Sequence, residues 1–291
     1  MKNLVCGPYV GEFGWELFFW SGYCRALSRH FEKTTVITRP GREFLYRDFA
    51  VVDHFEPPSQ GINDCQTNSE VTIEDMKEIT QPYISPTTFW LQPFENHHGA
   101  YQPHWSQRLY IPALNGALIP EYISRPRSPE IEQKIILLHA RNRTDIRPED
   151  NPPLGLFNEL SHRLQSEGYR VMSIGAEEDS HFVDQSIDKR NISLERLAYL
   201  MDTAVCVIGT TSGPLHFASL MGCPVITWQW DIDKMWHRFS ASWNPLNTKV
   251  VYINTRKEND VHFHPIPDLI MWSVNRIQDK NFKKLQIENE R

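Results

Sequence analysis

The feature that most constrains the fold is an alternation of short apolar segments with amphipathic ones in the second half of the chain. The apolar segments have the length of buried strands, and the segments between them have helical periodicity. The predicted strands are 134–139, 169–174, 205–209 and 224–228, and the predicted helices are 156–167, 194–201 and 213–221. Strands that alternate with helices over short connections form a parallel sheet. We therefore predict a doubly wound, Rossmann-like domain here.

The start of the chain shows the same alternation of strand and helix patterns. A short apolar strand at 4–6 is followed by the loop Gly7-Pro-Tyr-Val-Gly-Glu-Phe-Gly, a helical pattern at 15–30 and a second strand at 34–38. This order predicts a βαβ unit and a second parallel sheet. Residues 57–128 are rich in Pro, Asn, Gln and Ser, and we predict irregular connections there.

The length and the two βα regions predict an α/β protein with two Rossmann-like domains that face each other across a cleft. The expected boundaries are 1–128 and 129–291, with a linker at 126–130. The last amphipathic segment, 268–286, is predicted to be a helix that packs back on the first domain.

Composition narrows the class of protein. The net charge is −6 and there is no long basic stretch, so binding to a nucleic-acid backbone is not indicated, although nucleic acid stays open as a partner. The five cysteines show no CxxC pairing, and we predict neither a disulfide framework nor a metal site. No segment approaches the roughly 18 apolar residues needed to span a bilayer, and the amino terminus does not resemble a secretion signal. We expect a cytoplasmic protein.

The sharpest local pattern is the turn from Thr210 to His216, where three hydroxyl residues follow a buried strand and Gly213-Pro214 opens a helix. Glycine allows close approach of a ligand, and proline suits the first helical turn. The exposed amides at the start of a helix bind anions. We predict an anion site formed by Thr210, Thr211, Ser212, Gly213 and His216; a plain capped helix is the alternative.

Two further loops leave the same predicted edge of the sheet. Arg141 and Arg143 follow the strand at 134–139, and their forked, permanently charged groups suit a diphosphate. Pairing of one of them with Asp145 or Glu149 is the alternative. Glu177 and Glu178 follow the strand at 169–174 and offer a carboxylate for a ribose diol.

The segment 193–228 resembles the donor-binding stretch of family 9 glycosyltransferases, the heptosyltransferase-like GT-B enzymes. Their pattern Asp-Ser-Gly-Pro-x-His-x-Ala, then Gly-x-Pro-Val, is matched here by Thr211-Ser-Gly-Pro-Leu-His-Phe-Ala, then Gly222-Cys-Pro-Val. At the amino terminus, Glu16 precedes Gly22-Tyr-Cys-Arg-Ala-Leu27 at a distance similar to that of the family's catalytic Asp from its own helix. The resemblance covers nearly all of the second domain and roughly the first 40 residues, but not 57–128.

The resemblance implies a glycosyltransferase that uses a nucleoside-diphosphate sugar as donor substrate, with no further cofactor. Ser212, Gly213 and His216 would hold the donor phosphates with Arg141 or Arg143, and Glu177 or Glu178 would contact the ribose. The family's Asp before Ser-Gly, which touches the donor sugar, is Thr211 here, so heptose as the donor sugar is not implied.

The expected reaction is attack of an acceptor hydroxyl on the anomeric carbon, inverting and independent of metal. Glu16 is the expected general base and Glu12 its rival in the same loop; either one instead suits the start of the following helix. Asp231, after the strand at 224–228, is a candidate contact for a sugar hydroxyl.

The acceptor is expected to be a glycan, a lipid-linked sugar or another hydroxyl compound. A DNA-modifying glycosyltransferase is a subcase of this interpretation. Two other functions stay open: a sugar-nucleotide epimerase or hydrolase on the same fold, and a non-catalytic protein that binds sugar nucleotides.

Overall fold

The computed structural model of the protein describes residues 2–9, 13–56, 73–92, 109–111, 116–123, 134–144, 148–230, 236, 243–258 and 261–288. The chain divides into two compact units, Met1–Ile123 and Ser124–Arg291. The predicted linker at 126–130 lies outside the described residues, so the expected domain boundary stays a prediction.

The first unit is built on a four-stranded parallel sheet in the order β3-β2-β1-β4. Its strands are β1 Asn3–Cys6, β2 Lys33–Thr38, β3 Val51–His54 and β4 Thr88–Leu91. Its helices are α1 Phe13–Trp15, α2 Ser21–Ser28 and α3 Ile73–Thr80, with a π-helical turn, Glu16–Trp20, joining α1 to α2. Short 3₁₀ turns lie at Glu43–Leu45 and Gln81–Tyr83, and the strands β5 Leu109–Ile111 and β6 Gly116–Leu118 form a separate antiparallel pair.

The predicted strands and helix in the first forty residues are confirmed, and β1 and β2 are parallel. The prediction of irregular connections over 57–128 is wrong where that segment is described, because α3 and β4 lie there. Strand β4 pairs along the whole of β1, and the indole of Trp90 donates a hydrogen bond to the carbonyl of Gly7 at 2.7 Å. A four-residue strand is too short to show a clear sequence period, so its place in the sheet depends on these pairings.

The second unit is built on a seven-stranded parallel sheet in the order β15-β12-β11-β10-β7-β8-β9. Its strands are β7 Ile135–His139, β8 Arg170–Ser173, β9 Ile187–Asp188, β10 Cys206–Thr210, β11 Val225–Gln229, β12 Val250–Asn254 and β15 Lys284–Glu288. The strands β13 Lys257–Glu258 and β14 Val261–His262 form an antiparallel hairpin. The helices are α4 Leu154–Ser166, α5 Leu194–Thr203, α6 Gly213–Leu220 and α7 Pro267–Ile277, with 3₁₀ turns at Pro148–Asp150 and Glu177–Asp179.

Each strand and helix predicted between 134 and 228 is confirmed, with ends within two residues of those expected. The prediction of one helix over 268–286 is wrong, because α7 ends at Ile277 and 284–288 form a strand beside β12. The buried face of α7, which includes Ile270 and Val274, lies in the core of the second unit itself. This apolar face is used there, and packing of the helix on the first domain stays a prediction.

The strand order fixes where a ligand site belongs in the second unit. Strands β8 and β9 lie on one side of β7, whereas β10, β11, β12 and β15 lie on the other. The chain therefore leaves the adjacent ends of β7 and β10 in opposite directions, and open α/β sheets bind ligands in the crevice at such a switch point. None of the helices that the structure describes is long and apolar enough to cross a membrane.

Candidate functional site

The turn between β10 and α6 lies at this switch point. Ser212 is the N-cap, with extended backbone, and its carbonyl accepts from the amides of Leu215 and His216 at 3.1 and 3.0 Å. The amide of Gly213 precedes these bonds and has no acceptor within the helix. The first turn of α6 therefore offers a backbone donor and the positive end of the helix dipole, which together favour an anion.

A histidine from the neighbouring strand holds the cap residue. Nδ1 of His139, the last residue of β7, lies 3.0 Å from Oγ of Ser212. Burial, and then the charge of Arg141, lower the pKa of His139 to about 3. The imidazole is therefore neutral near pH 7 and fixes the direction of the Ser212 hydroxyl without adding charge. The strand prediction placed His139 at a strand end but indicated no role for it, because its partner lies 73 residues away.

Two glycines make room for His139. A Cβ atom at Gly209 would lie 2.7 Å from the His139 carbonyl oxygen. A Cβ atom at Gly175, where φ is +126°, would lie 2.8 Å from Cδ2 and 3.0 Å from Nε2 of the imidazole. Real Cβ atoms do not approach so closely, so Gly209 is needed beside the backbone of His139 and Gly175 beside its ring.

The loop after β7 carries Arg141 and Arg143, which are 3% and 8% exposed. Asn151 organises this loop: its Oδ1 accepts from Nη1 of Arg141 at 2.8 Å and from the amide of Arg143 at 3.0 Å, and its Nδ2 donates to the Arg143 carbonyl at 2.7 Å. Asp179 is one acidic neighbour of Arg143, with Nε and Oδ1 4.0 Å apart. Asp145, one of the alternative partners, lies outside the described residues. Asn151 was not singled out from the sequence, where no motif marks it.

The predicted residues Glu177, Glu178 and His216 lie in segments that follow strands at the same edge of the sheet. Glu177 and Glu178 lie in the 3₁₀ turn that follows β8, and Glu177 accepts from Nδ2 of Asn191 at 3.0 Å. His216 is 4% exposed. Its ring is edge-on to that of Trp243, with the ring centroids 4.2 Å apart. Contacts of Glu177 or Glu178 with ribose, and of His216 with phosphate, stay predictions. Asp231 lies outside the described residues.

Thr210 and Thr211 line a small, partly open cavity at the anion turn. The cavity lies between the carboxyl ends of β10 and β11, the β13–β14 hairpin and the turn Pro148–Asp150. The hydroxyl of Thr211 donates to the side-chain oxygen of Gln229, and Oγ1 of Thr210 is buried without a hydrogen-bond partner in the described structure. These two predicted phosphate ligands therefore lie on the wall of this cavity, next to the start of α6.

The first unit holds Glu16 at the corresponding edge of its own sheet. Glu16 is 2% exposed, and its Oε1 accepts from the hydroxyls of Tyr46 at 2.7 Å and Thr38 at 3.0 Å. Its Oε2 lies 3.6 Å from Nε of Arg42. Burial, and then the charge of Glu16, raise the pKa of Tyr46 well above its usual value, so the phenol stays a donor.

The sequence placed Glu16 at the junction of loop and helix, but the structure places it after α1, in the π-helical turn. Its role as a base stays a prediction, and its rival Glu12 lies outside the described residues. Over the described part of the chain, no group of three or more His, Cys, Asp or Glu side chains is arranged to hold a metal ion.

Comparisons with known proteins find likeness at the level of structure only. No protein-family model and no curated protein matches the sequence. Among solved structures, E. coli ADP-heptose LPS heptosyltransferase II matches with a TM-score of 0.59 and 13% identity, over 95% of this chain and 98% of that one. E. coli heptosyltransferase WaaC with ADP matches with a TM-score of 0.52 and 11% identity, over 95% and 100%.

The same WaaC enzyme with ADP-2-deoxy-2-fluoro heptose matches with a TM-score of 0.50 and 13% identity, over 94% of this chain and 99% of that one. These likenesses agree with the resemblance drawn from the motif at Ser212-Gly213-Pro214. At such identities they establish architecture rather than activity. The protein has an α/β fold with parallel sheets that is shared with solved heptosyltransferases.

Proposed function

We propose that the protein is a glycosyltransferase that moves a sugar from a nucleoside-diphosphate sugar to an acceptor hydroxyl. The observation that carries the proposal is the switch-point site: the amide of Gly213 at the start of α6, beside a Ser212 held by His139. The solved proteins that share the fold include a heptosyltransferase with ADP and with a fluorinated ADP-heptose. A doubly charged leaving group suits this kind of site.

The proposed chemistry is a single displacement at the anomeric carbon, with inversion. The acceptor oxygen forms the new bond to that carbon while its proton passes to the Glu16 carboxylate. The bond from the anomeric carbon to the diphosphate breaks, and its electron pair stays on the departing phosphate oxygen. The proposal requires the acceptor hydroxyl to reach Glu16 while the donor is held at Gly213.

Electrostatic stabilisation of the leaving group is the second part of the proposal. Arg141 and Arg143 lie on a loop that Asn151 holds at the carboxyl end of β7, beside β10. Fixed positive groups of this kind cost no reorganisation when charge develops. In the proposed mechanism these arginines and the start of α6 take the developing charge without a metal ion. A cytoplasmic location and a glycan, lipid-linked or other hydroxyl acceptor remain part of the proposal.

A thermal-shift panel of nucleoside diphosphates and their sugars tests donor binding. A true donor at about 100 times its Kd should add about 2.7 kcal/mol to the free energy of unfolding. Arg143→Gln should remove most of this gain, because the guanidinium is lost from the site. Arg196→Gln, on the exposed side of α5, is the matched control and should keep it. Equal stabilisation of both variants would contradict the proposal.

A product assay separates transfer from the other functions that the sequence leaves open. With an isotopically labelled nucleotide sugar and a panel of glycan and lipid-linked acceptors, a transferase yields labelled acceptor. Release of free sugar alone would indicate a hydrolase, and conversion to a stereoisomeric nucleotide sugar an epimerase. Binding with no turnover would indicate a non-catalytic protein.

A further inference from the structure

The carboxylate of Glu16 is held by two hydroxyls that come from separate elements of the first unit. Thr38 is the last residue of β2, and Tyr46 follows the 3₁₀ turn Glu43–Leu45. Both hydroxyls donate to the same atom, Oε1, at 3.0 Å from Thr38 and 2.7 Å from Tyr46. Both side chains are 0% exposed, so the two bonds are shielded from water. A carboxylate oxygen has two lone pairs, and those of Oε1 are both used.

The second oxygen of this carboxylate, Oε2, has a different environment. Its ion-pair partner is Arg42, whose Nε lies 3.6 Å away, beyond hydrogen-bond distance. The guanidinium of Arg42 also lies over the ring of Phe13, with Cζ 4.0 Å from the ring centroid. Among the residues that the structure describes, no donor makes a hydrogen bond to Oε2. The nearby positive charge therefore favours the ionised carboxylate, while the lone pairs of Oε2 stay available for a proton.

The main chain of Glu16 is fixed as well. Glu16 opens the π-helical turn, and its carbonyl accepts from the amide of Ser21, five residues further along the chain. The Ser21 hydroxyl donates to the carbonyl of Leu17 at 3.0 Å, which ties the same turn a second time. Single π-helical turns inside helices occur frequently at functional sites. With the backbone and Oε1 both held, the carboxylate has little freedom to rotate, and Oε2 keeps one position.

We propose that Tyr46 and Thr38 are positioning residues, which hold Oε1 so that Oε2 is the atom that takes the acceptor proton. This inference rests on the proposed function, in which Glu16 is the general base. The acceptor oxygen bonds to the anomeric carbon, its proton passes to Oε2, and the diphosphate leaves with the electron pair of the broken bond. Tyr46 does not itself take the proton, because its phenol already donates to Oε1. A base that is held in one orientation does not have to be ordered when the reaction occurs.

A double-mutant cycle separates positioning from packing. Transfer is followed with radiolabelled UDP-glucose, GDP-mannose and ADP-glucose against a panel of glycan and lipid-linked acceptors, and kcat is measured for the pair that labels an acceptor. In the wild-type background, Tyr46→Phe and Thr38→Val should each lower kcat by about tenfold and leave the donor Kd unchanged, because the base is less well aligned. In the Glu16→Gln background the same substitutions should lower kcat no further, since no carboxylate remains to be aligned.

Two control variants remove buried hydroxyls of the same kind that do not contact Glu16. Tyr169→Phe loses a phenol oxygen that accepts from Nε2 of Gln278 at 3.0 Å, and Thr80→Val loses a hydroxyl that donates to the carbonyl of Met76 at 2.8 Å. Tyr169 and Thr80 are 7% and 0% exposed, so they match the burial of the tested residues. Both controls should lower the free energy of unfolding in denaturant, and neither should change kcat.

Equal losses of kcat in the wild-type and Glu16→Gln backgrounds would overturn the positioning role, because the hydroxyls would then act through packing. An unchanged kcat when Tyr46→Phe and Thr38→Val are combined would overturn it too, and full activity of Glu16→Gln would overturn both the base and its positioning. If no donor labels any acceptor, the proposed function fails. Crystal structures of the wild-type protein and of the combined variant then decide the placement. A carboxylate that moves or becomes disordered in the variant supports it, and an unmoved carboxylate overturns it.

Discussion

The two units place opposite chemistry at equivalent edges of their sheets. In the second unit the edge presents hydrogen-bond donors and cations: the amide of Gly213 and the loop of Arg141 and Arg143. In the first unit the edge holds a carboxylate, Glu16, that accepts hydrogen bonds from Tyr46 and Thr38. The same alternation of strands and helices therefore yields a proposed anion site in one unit and a buried carboxylate in the other. The few residues after the strand ends decide which one forms.

The largest expected effect is the loss of activity when the carboxylate of the first unit is removed. Glu16→Gln removes the carboxylate but keeps an oxygen that accepts from Tyr46 and Thr38, so the fold should survive. If Glu16 is the general base, kcat should fall by about 10²–10⁴-fold while the Kd of the donor stays the same. Steady-state kinetics and calorimetry measure the two quantities. Glu74→Gln, at a carboxylate that is 79% exposed on α3, is the control. Full activity of Glu16→Gln would exclude Glu16 as the base.

The next effect tests the packing behind the anion site. Gly175→Ala drives a methyl group into the imidazole of His139 and places alanine at φ +126°. Gly168→Ala has a positive φ as well, +83°, but no atom within 4 Å of the added Cβ. We expect Gly175→Ala to lose roughly 1–3 kcal/mol more unfolding free energy than Gly168→Ala, because only the former overpacks a buried ring. Denaturant unfolding of both variants measures the difference. Equal losses of unfolding free energy would show that the ring of His139 can move aside at little cost.

A pH profile of stability sharpens the account of His139. Its folded-state pKa of about 3 lies below the usual value of 6.5. Below pH 6.5 His139 therefore binds a proton in the unfolded chain, whereas in the folded protein it stays neutral until about pH 3. His139 thus destabilises the fold as the pH drops across this window, by up to about 1.4 kcal/mol per pH unit. His139→Gln should flatten the profile between pH 6 and 4 by this component, and His162→Gln, at an exposed position on α4, should not. Identical slopes would show that His139 is protonated in the fold.

The smallest expected effect concerns the loop of the arginines. Asn151→Ala removes the bonds to Nη1 of Arg141 and to the backbone of Arg143, so both guanidinium groups gain freedom. We expect the Kd for a nucleoside diphosphate to rise by about tenfold, which corresponds to about 1.4 kcal/mol. Asn158→Ala also loses a bond to a backbone amide, that of Asp184, and serves as the control. An unchanged Kd in Asn151→Ala would show that other contacts hold the loop.

Local patterns predicted four strands and three helices of the second unit well. A buried strand, a helix with a capping Ser193 and a Gly-Pro helix start are each encoded within a few neighbouring residues, and the Ser193 hydroxyl does accept from the amide of Arg196. Of the strands in the two main sheets, β3, β4, β9, β12 and β15 were missed. The place of β4 depends on its pairing with β1, and that of β15 on its pairing with β12, contacts that join separate parts of the sequence.

The placement of the candidate site residues was predicted in outline only. The strand ends showed where Arg141, Arg143 and Ser212 would gather, because the carboxyl ends of neighbouring parallel strands share one edge. The bond from His139 to Ser212 and the clamp of Asn151 join residues from separate loops. No periodicity or motif encodes such contacts, since they arise only when the sheet brings the loops together.

A crystal structure with the nucleoside diphosphate that stabilises the protein most would test the central claim most directly. The account predicts phosphate oxygens about 2.7–3.2 Å from the amide nitrogen of Gly213, with the guanidinium of Arg141 or Arg143 in contact with the same diphosphate. A diphosphate bound elsewhere, with the first turn of α6 in contact only with the protein's own side chains, would contradict it.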